Sequence, residues 1–408
     1  MSAGIFNTAG LTQDLARKSF SAYITRLMPA GSCPLFGMTS MMKTETALQT
    51  EHGYFSKTML FPEMTISAAG QTAADTVFTV TSTANVVPNT LFRVNTTGEN
   101  ILVNSVIGLT QVSVTRAVGG TSAQVIAAAV KLYSIGTAFE EGSLRPQSLI
   151  INPVRITNLT QIFRNTWALT GTVAATQVIA GDSNVAESKQ DCSAFHAVDI
   201  EKQLFWGQKY QGSRNGQPFR TMDGIIAITS NIANYPSSYS AANVFTAAAT
   251  TNYTQLQGFL EPTLNQQTDP KTANERVIFC GGTAKRVIND IGRLNGTYYL
   301  QQGQTAYGLQ FSTFLTARGT FRLIEHPLFN SNADWSKMAV VVDLSTFNIA
   351  YLGNRQTTYA GFDGQASDGA ADNGIDAKGG TLTTECTCLV KNPAANAVIY
   401  NLTAGAAG

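Results

Sequence analysis

Val77-Phe78-Thr79-Val80, Leu91-Phe92-Arg93-Val94, Ile101-Leu102-Val103 and Val112-Ser113-Val114-Thr115 are four short runs that are apolar or alternate apolar with polar residues. Alternation with a period of two places one face of a strand on a core and the other in water. Turn signals separate the runs at Pro88-Asn89, Thr97-Gly98, Ile107-Gly108 and Gly119-Gly120. That spacing predicts a compact all-β module of about 65 residues over 67–133. Residues 54–66, with Pro62 suited to an edge, and 148–157 also read as strands. The module therefore reads as an insertion into an otherwise continuous extended element.

Toward the C-terminus the period changes. Residues 184–209 contain no proline and no glycine before Gly207, which predicts a helix of some six turns with capping chemistry at Asp182 and Ser183. Its apolar residues Phe195, Val198, Ile200, Leu204, Phe205 and Trp206 are spread around the helix, which predicts contacts on several sides. Leu256, Phe259, Leu260 and Leu264 keep helical spacing, 276–280 reads as a strand, and Gly281-Gly282-Thr283 turns into a helix bearing Val287, Ile288, Ile291 and Leu294. Strands are expected at 320–324, 338–344, 381–390 and 398–400. The Gly/Asp-rich stretch 361–380 reads as a loop too long for an ordinary connection, either mobile or meeting another chain. The mixture defines an α+β fold. At the other end, Thr12 caps a basic amphipathic helix carrying Arg17, Lys18 and Arg26, which either packs on its own domain or docks on a neighbouring subunit. Residues 28–40, with Pro29, Gly31, Pro34 and Gly37, read as irregular.

Composition narrows the function. In 408 residues there are 27 Lys+Arg and 26 Asp+Glu, a net charge of +1, and only 13% charged residues, against roughly 25% in ordinary soluble domains. Hydrophobic content of 44% supports a substantial core and excludes disorder throughout. There is no run of ~20 apolar residues and no basic-then-apolar leader, so the expectation is a chain that neither spans a membrane nor is exported. A pI of about 7.6 argues against a dedicated nucleic-acid binder. Threonine makes up roughly one residue in eight. Either the surface is largely covered by copies of the same chain, because interface cores are depleted in Lys, Glu and Asp, or the composition reflects β-structure. Cys33, Cys192, Cys280, Cys386 and Cys388 are odd in number and scattered, which reads as structural thiols in a reducing cytoplasm.

No catalytic constellation is legible. Only His52, His196 and His326 are present, without HExxH or CxxC spacing. Gly281-Gly282-Thr283-Ala284-Lys285 lacks the phosphate-loop spacing. Asp363, Asp368, Asp372 and Asp376 miss the calcium-loop pattern and read as solvated. Glu140-Glu141 with Arg145 reads as an ion pair across an interface. The expectation is no enzyme, no cofactor and no metal.

Several segments, taken in order, resemble a tailed-bacteriophage major capsid protein with the Hong Kong 97 (Johnson) fold, in the branch with a β-rich insertion in the extended loop. They are Gly98-Glu99 with Leu102-Val103, Val112 to Arg116, Gly119-Gly120-Thr121, Ile135-Gly136, Glu140-Glu141-Gly142, Ile156 to Phe163, Gly171-Thr172, Arg220 to Ile225, Gly308 to Phe329 and Glu385 to Asn392. The resemblance implies an N-terminal arm (1–50), an extended loop (51–165) with its insertion, a peripheral domain on a spine helix (166–222), an axial domain (223–355) and a return to the peripheral domain (356–408). It implies self-assembly through hexamers and pentamers into an icosahedral head around double-stranded DNA, built in the host bacterial cytoplasm, with portal and scaffold or decoration proteins as partners. Phe61, Glu63, Glu140, Glu141, Arg145, Arg155 and Arg164 are the candidate subunit-interface residues, and Arg17, Lys18 and Arg26 the candidate inner-face contacts to phosphates. Alternatives are an encapsulin-like compartment shell, which the insertion disfavours, and a β-rich phage tail or adhesion protein, which the long helix disfavours.

Some shells of this fold join a loop lysine to an asparagine of another subunit. Lys57 and Lys131 are loop lysines here, but no matching asparagine or activating glutamate is identifiable. Assembled particles boiled in detergent are expected to run as the single 43.5 kDa chain; a ladder of covalent oligomers on the gel would refute this.

Overall fold

The computed structural model describes residues 33–41, 44–57, 62–67, 69–146, 152–176, 184–231, 243–265, 274–294, 301–306, 309–363 and 376–406. The chain divides into two compact units, Phe55–Arg155 and a body formed by Met1–Tyr54 with Ile156–Gly408.

In Phe55–Arg155 the four alternating runs become strands Val77–Thr79, Thr90–Val94, Asn100–Val106 and Gln111–Thr115, joined by Glu63–Thr65 and Lys131–Thr137. The module is thus wider than the sequence suggests. The sheet order is 63–65, 131–137, 90–94, 100–106, 111–115, 77–79. Ile66 then bridges Val80, the Ser67 N–H donates to the Thr79 carbonyl and the Thr81 N–H to the Thr65 carbonyl, each at 2.9 Å. First and last strands are joined, so the sheet closes and presents no free edge. Met64, Ile66, Phe78, Phe92, Ile101, Val103, Val112 and Leu132 fill the interior.

One end of this barrel is tied by a buried ion pair. Glu99 has no exposed surface, and Arg116 meets it in a fork, Nε to Oε1 and Nη2 to Oε2, both at 2.7 Å. The same carboxylate accepts the Gln124 and Ala117 N–H groups at 3.2 and 3.3 Å, while the guanidinium stacks 5.2 Å from the Phe78 ring centre and donates to the Thr72 carbonyl. Two loops and the core are thereby pinned to one pair.

In the body, the long strand Ala377–Val390 is central to a five-stranded sheet. It pairs with Gln161–Thr170 on one side and with Phe347–Leu352 and Thr358–Asp363 on the other, and Phe347–Leu352 pairs in parallel with Glu45–Ala47. The expected loop at 361–380 is corrected at both of its ends; its middle, 364–375 with Asp368 and Asp372, lies outside the described residues. Gly361, Gly379 and Gly380 lie inside paired strands, and Phe362 and Tyr359 lay their rings where Cβ atoms on Gly379 and Gly380 would stand. These glycines make room for aromatic rings rather than for a turn.

A second sheet of seven strands runs 244–246, 397–400, 339–342, 275–280, 320–325, 309–315, 301–306. Ala339–Val342 is buried at every position, so both faces of the sheet are covered there. The helix Gly282–Leu294 buries Ala284, Val287, Ile288 and Ile291 at helical spacing.

The spine helix is Asn184–Trp206, ending at Gly207 as expected. Asp182 and Ser183 lie outside the described residues. Its buried residues are Cys192, His196, Ile200, Glu201, Leu204 and Phe205, while Phe195 stands 58% exposed. Strands Gln161–Thr170 and Ala377–Val390 and the helices Pro34–Met41 and Ile225–Ser230 pack on it, so it is contacted on more than one side. A correction lies upstream: Pro34–Met41 is a helix, not irregular chain. Pro34 occupies the first helical position, where its missing N–H costs nothing.

Replacing Arg116 by Met leaves Glu99 buried without its partner and is expected to destabilise the barrel by about 3–5 kcal/mol in urea unfolding. Burial pushes the Glu99 carboxyl up, but hydrogen bonds from Arg116, Gln124 and Ala117 outweigh it and hold it below the ordinary carboxylate range. A depressed folded value means stability that is present above about pH 4.3 and lost as pH falls through the folded value. Parental stability in Arg116→Met at pH 7 would refute the role of the pair.

Candidate functional site

Three of the segments that carry the family resemblance, 156–163, 220–225 and 385–392, meet in the body. Asn158, 1% exposed, makes four hydrogen bonds to nitrogen and oxygen atoms of the backbone. Its Nδ2 donates to the carbonyls of Asp223 at 3.0 Å and Cys388 at 2.8 Å, and its Oδ1 accepts the N–H groups of Leu159 and Asp223, both at 2.9 Å. Two residues on, Thr160 Oγ1 donates to Glu385 Oε1 at 3.0 Å. Arg355 Nε donates to Glu385 Oε2 at 3.0 Å, and Arg220 Nη2 stands 3.8 Å from Oε1. Asp223 Oδ1 accepts the Lys209 N–H at 2.6 Å. Gly224 permits the turn that follows, since a Cβ there would strike the Gln203 carbonyl at 2.7 Å. Residues 156–163, 220–225 and 385–392, far apart in sequence, are one polar knot at the C-terminal end of the central strand.

Histidines are held in the same manner. Asn165 Nδ2 donates to Asp199, so its Oδ1 faces His196 Nδ1 at 2.7 Å as an acceptor, and Thr384 Oγ1 lies 2.7 Å from Nε2. This assigns a neutral ring with its proton on Nδ1. Burial, only partly offset by Asp199, holds His196 below the ordinary histidine range. His326 is buried against Glu201. Cys386 and Cys388 face the interior, and burial pushes the Cys386 thiol up to about 12. A cleft of about 160 Å³ is lined by Glu275, Arg276, Arg322 and Asp343, which pair as Arg322–Glu275 at 2.9 Å and Arg276–Asp343 at 3.6 Å. Among the described residues no cluster of three His, Cys, Asp or Glu is placed to hold a metal, and no helix is long and apolar enough to cross a membrane.

Of the residues singled out from sequence, Glu140, Glu141, Arg145, Arg155 and Arg164 are exposed. Glu63 is half-buried with Lys131 Nζ 3.5 Å from its Oε1. Phe61, Arg17, Lys18 and Arg26 lie outside the described residues.

Sequence reasoning missed an apolar prong. Between strands 100–106 and 111–115, Ile107 and Leu109 stand 56% and 89% exposed. The turn is rigidly braced: the Thr83 N–H donates to the Leu109 carbonyl at 3.1 Å, Thr83 Oγ1 to the Gly108 carbonyl at 2.8 Å, and the Val80 N–H to the Thr110 carbonyl at 2.8 Å. In the sequence Ile107-Gly108 registers only as a turn, and the brace from Thr83 has no local signal. A second exposed apolar pair, Tyr210 and Phe219, 59% and 41% exposed with ring centres 6.2 Å apart, sits on the hairpin Tyr210–Arg214/Gln217–Thr221.

The α+β body and the inserted barrel thus commit their buried polar groups to internal hydrogen bonds and hold several apolar side chains outward. The family model described as the SU10 major capsid protein matches residues 4–403, and the chain belongs to this family of phage major capsid proteins. The major capsid protein of Pseudomonas phage PaMx41 is 40% identical over 408 residues, covering 98% of this chain and 96% of that one. The resemblance to a phage major capsid protein, read from the order of short segments, is borne out. Similar solved structures include the capsid of the native GTA particle (9% identity, 97% of this chain and 98% of that chain, TM-score 0.48). Another is that of Mycobacterium phage Adephagia (10%, 99% and 99%, TM-score 0.47). The holo-SrpI encapsulin complex of Synechococcus elongatus PCC 7942 is also similar (11%, 62% and 78%, TM-score 0.43).

Replacing Asn158 by Leu keeps the volume but removes an acceptor from two buried N–H groups and a donor from two buried carbonyls. A loss of about 3–5 kcal/mol is expected in denaturant unfolding; a loss under about 1 kcal/mol would show that the knot is dispensable.

Proposed function

We propose that this capsid protein self-assembles through hexamers and pentamers into the icosahedral head of a tailed phage, around double-stranded DNA. It acts without catalysis or cofactor, is built into particles in the host bacterial cytoplasm and ends in the virion. Residues 1–50 serve as arm, 51–165 as extended loop, 166–222 with 356–408 as peripheral domain and 223–355 as axial domain. Portal and scaffold or decoration proteins are its further partners. Glu63, Glu140, Glu141, Arg145, Arg155 and Arg164, together with Phe61, serve subunit contacts, and Arg17, Lys18 and Arg26 meet DNA phosphates without sequence preference. Membership in a capsid family favours this over an encapsulin-like compartment.

The observation that carries the reading is the braced prong. Side chains exposed as fully as Leu109 cost little singly, but ordering them outward on a rigid turn prepares them for burial at low entropic cost. Covering one such side chain contributes about 1.5–3 kcal/mol, and a closed shell repeats the contact around every axis.

The double change Ile107→Ser, Leu109→Ser is expected to leave the unfolding midpoint of the free subunit essentially unchanged and to reduce shell formation several-fold in negative-stain microscopy and light scattering. Shells at parental yield would remove the prong from the contact. A parental chain that forms neither shells nor capsomers, alone or with its own phage's head proteins, would count against the proposed assembly.

A further inference from the structure

The helix Pro34–Met41 begins against a side chain from far along the sequence. The Leu35 N–H donates to Glu201 Oε1 at 2.9 Å and the Phe36 N–H to Glu201 Oε2 at 2.7 Å. Pro34 brings no N–H, so one carboxylate from the spine helix takes up the donors of the first turn, where the helix dipole favours negative charge. Cys33, just before the helix, has a short side chain with little capping ability, and its thiol is pushed up to about 12 by burial and by the Glu201 charge.

The carboxylate is held from its other side as well. His326 Nε2 lies 2.7 Å from Glu201 Oε1, and His326 Nδ1 accepts the Leu328 N–H at 3.2 Å. Since Nδ1 accepts, the proton sits on Nε2 and points at Glu201. Both side chains have no exposed surface. Phe205 meets the imidazole edge-on at 5.1 Å and Phe329 stacks on it at 4.8 Å, which fixes the ring plane. A carboxylate buried this completely is costly unless its hydrogen bonds are made, and three donors make them. A local Ser or Thr cap would hold the helix end equally well; a remote buried charge also fixes where the helix sits on the body.

We infer that Glu201, oriented by His326, is the positioning residue for the N-terminal arm. Its charge seats Pro34–Met41 on the spine helix and so sets the point at which residues 1–32 join the body, while the body folds without that seat. The consequence for assembly rests on the proposed shell function; the anchor itself does not.

The test is Glu201→Gln in the full chain, followed by amide hydrogen exchange and microscopy. The amide offers one acceptor and one donor where two acceptors are needed. Exchange in residues 33–41 is expected to rise about 10- to 100-fold, with peptides from 339–342 and 386–390 unchanged. His326→Gln keeps an N–H donor toward Glu201 and is expected to retain protection. His326→Phe keeps the ring packing, loses the donor and is expected to loosen the segment. Shells of Glu201→Gln are expected to be fewer and irregular beside those of the parent and His326→Gln. Parental exchange of 33–41 in Glu201→Gln would overturn the anchor. Equal exchange in His326→Gln and His326→Phe would overturn the orienting role, and this pair of variants decides the question if Glu201→Gln fails to fold. Freed 33–41 with regular shells at parental yield would overturn the positioning of the arm. If the parent itself forms no shells, the assembly proposal fails while exchange still decides the anchor.

Discussion

The body depends on a single side-chain amide. Asn158 uses both hydrogens and both lone pairs of its carboxamide, so strand 154–159, the 222–224 turn and the end of the central strand share one fixed point. An amide is the only uncharged side chain able to do this, because it carries two donors beside an acceptor that takes two bonds. Everything that crosses the site inherits the constraint: Gly207 and Gly224 pass with no room for Cβ, Glu385 gathers Thr160 and Arg355, and Cys388 turns inward beside the Asp223 carbonyl. Segments 156–163, 220–225 and 385–392, degenerate one by one, are informative together because they are parts of one contact.

How much of this can be read from sequence follows from the range of the forces involved. Strands of the barrel are legible because period-two burial is local, and the spine helix because its span lacks breakers and stops at Gly207. The helix Pro34–Met41 is illegible for the opposite reason: Pro34 and Gly37 are local breaking signals, and the compensating cap lies 166 residues away at Glu201. The two ends of 361–380 mislead similarly, since glycines that signal a loop are here the floor for Tyr359 and Phe362, a relation visible only once the strands are paired. The prong reads as an ordinary turn until Thr83 is seen bracing it. Asn158, Glu201 and Glu385 are ordinary polar residues in the sequence, and their importance comes from burial and the partners it brings.

The scarcity of charge has a related cause. Of a charged fraction of only 13%, Glu99, Glu201, Asp223, Arg276, Asp343 and Glu385 are buried and committed to internal partners. A chain with so few charges has few left to place on its outer surface. Fewer hydrated charges mean a smaller desolvation penalty wherever that surface is covered, and weaker repulsion between identical subunits. An apolar prong on such a surface meets little electrostatic resistance to being covered.

These two uses of polarity divide the work between specificity and adhesion. Charges inside the chain fix geometry, because a buried carboxylate accepts only the arrangement that satisfies it: Arg116 on Glu99 in the barrel, His326 and a helix terminus on Glu201 in the body. Apolar groups outside supply attraction that is strong in sum and tolerant of direction. Under the proposed assembly, a subunit that occupies hexameric and pentameric positions with one sequence needs this separation. Its internal contacts must hold one shape, while contacts between copies must survive small differences of angle. Directional salt bridges at every interface would favour one angle over the other, whereas a rigid, braced apolar projection such as Leu109 can be buried at both.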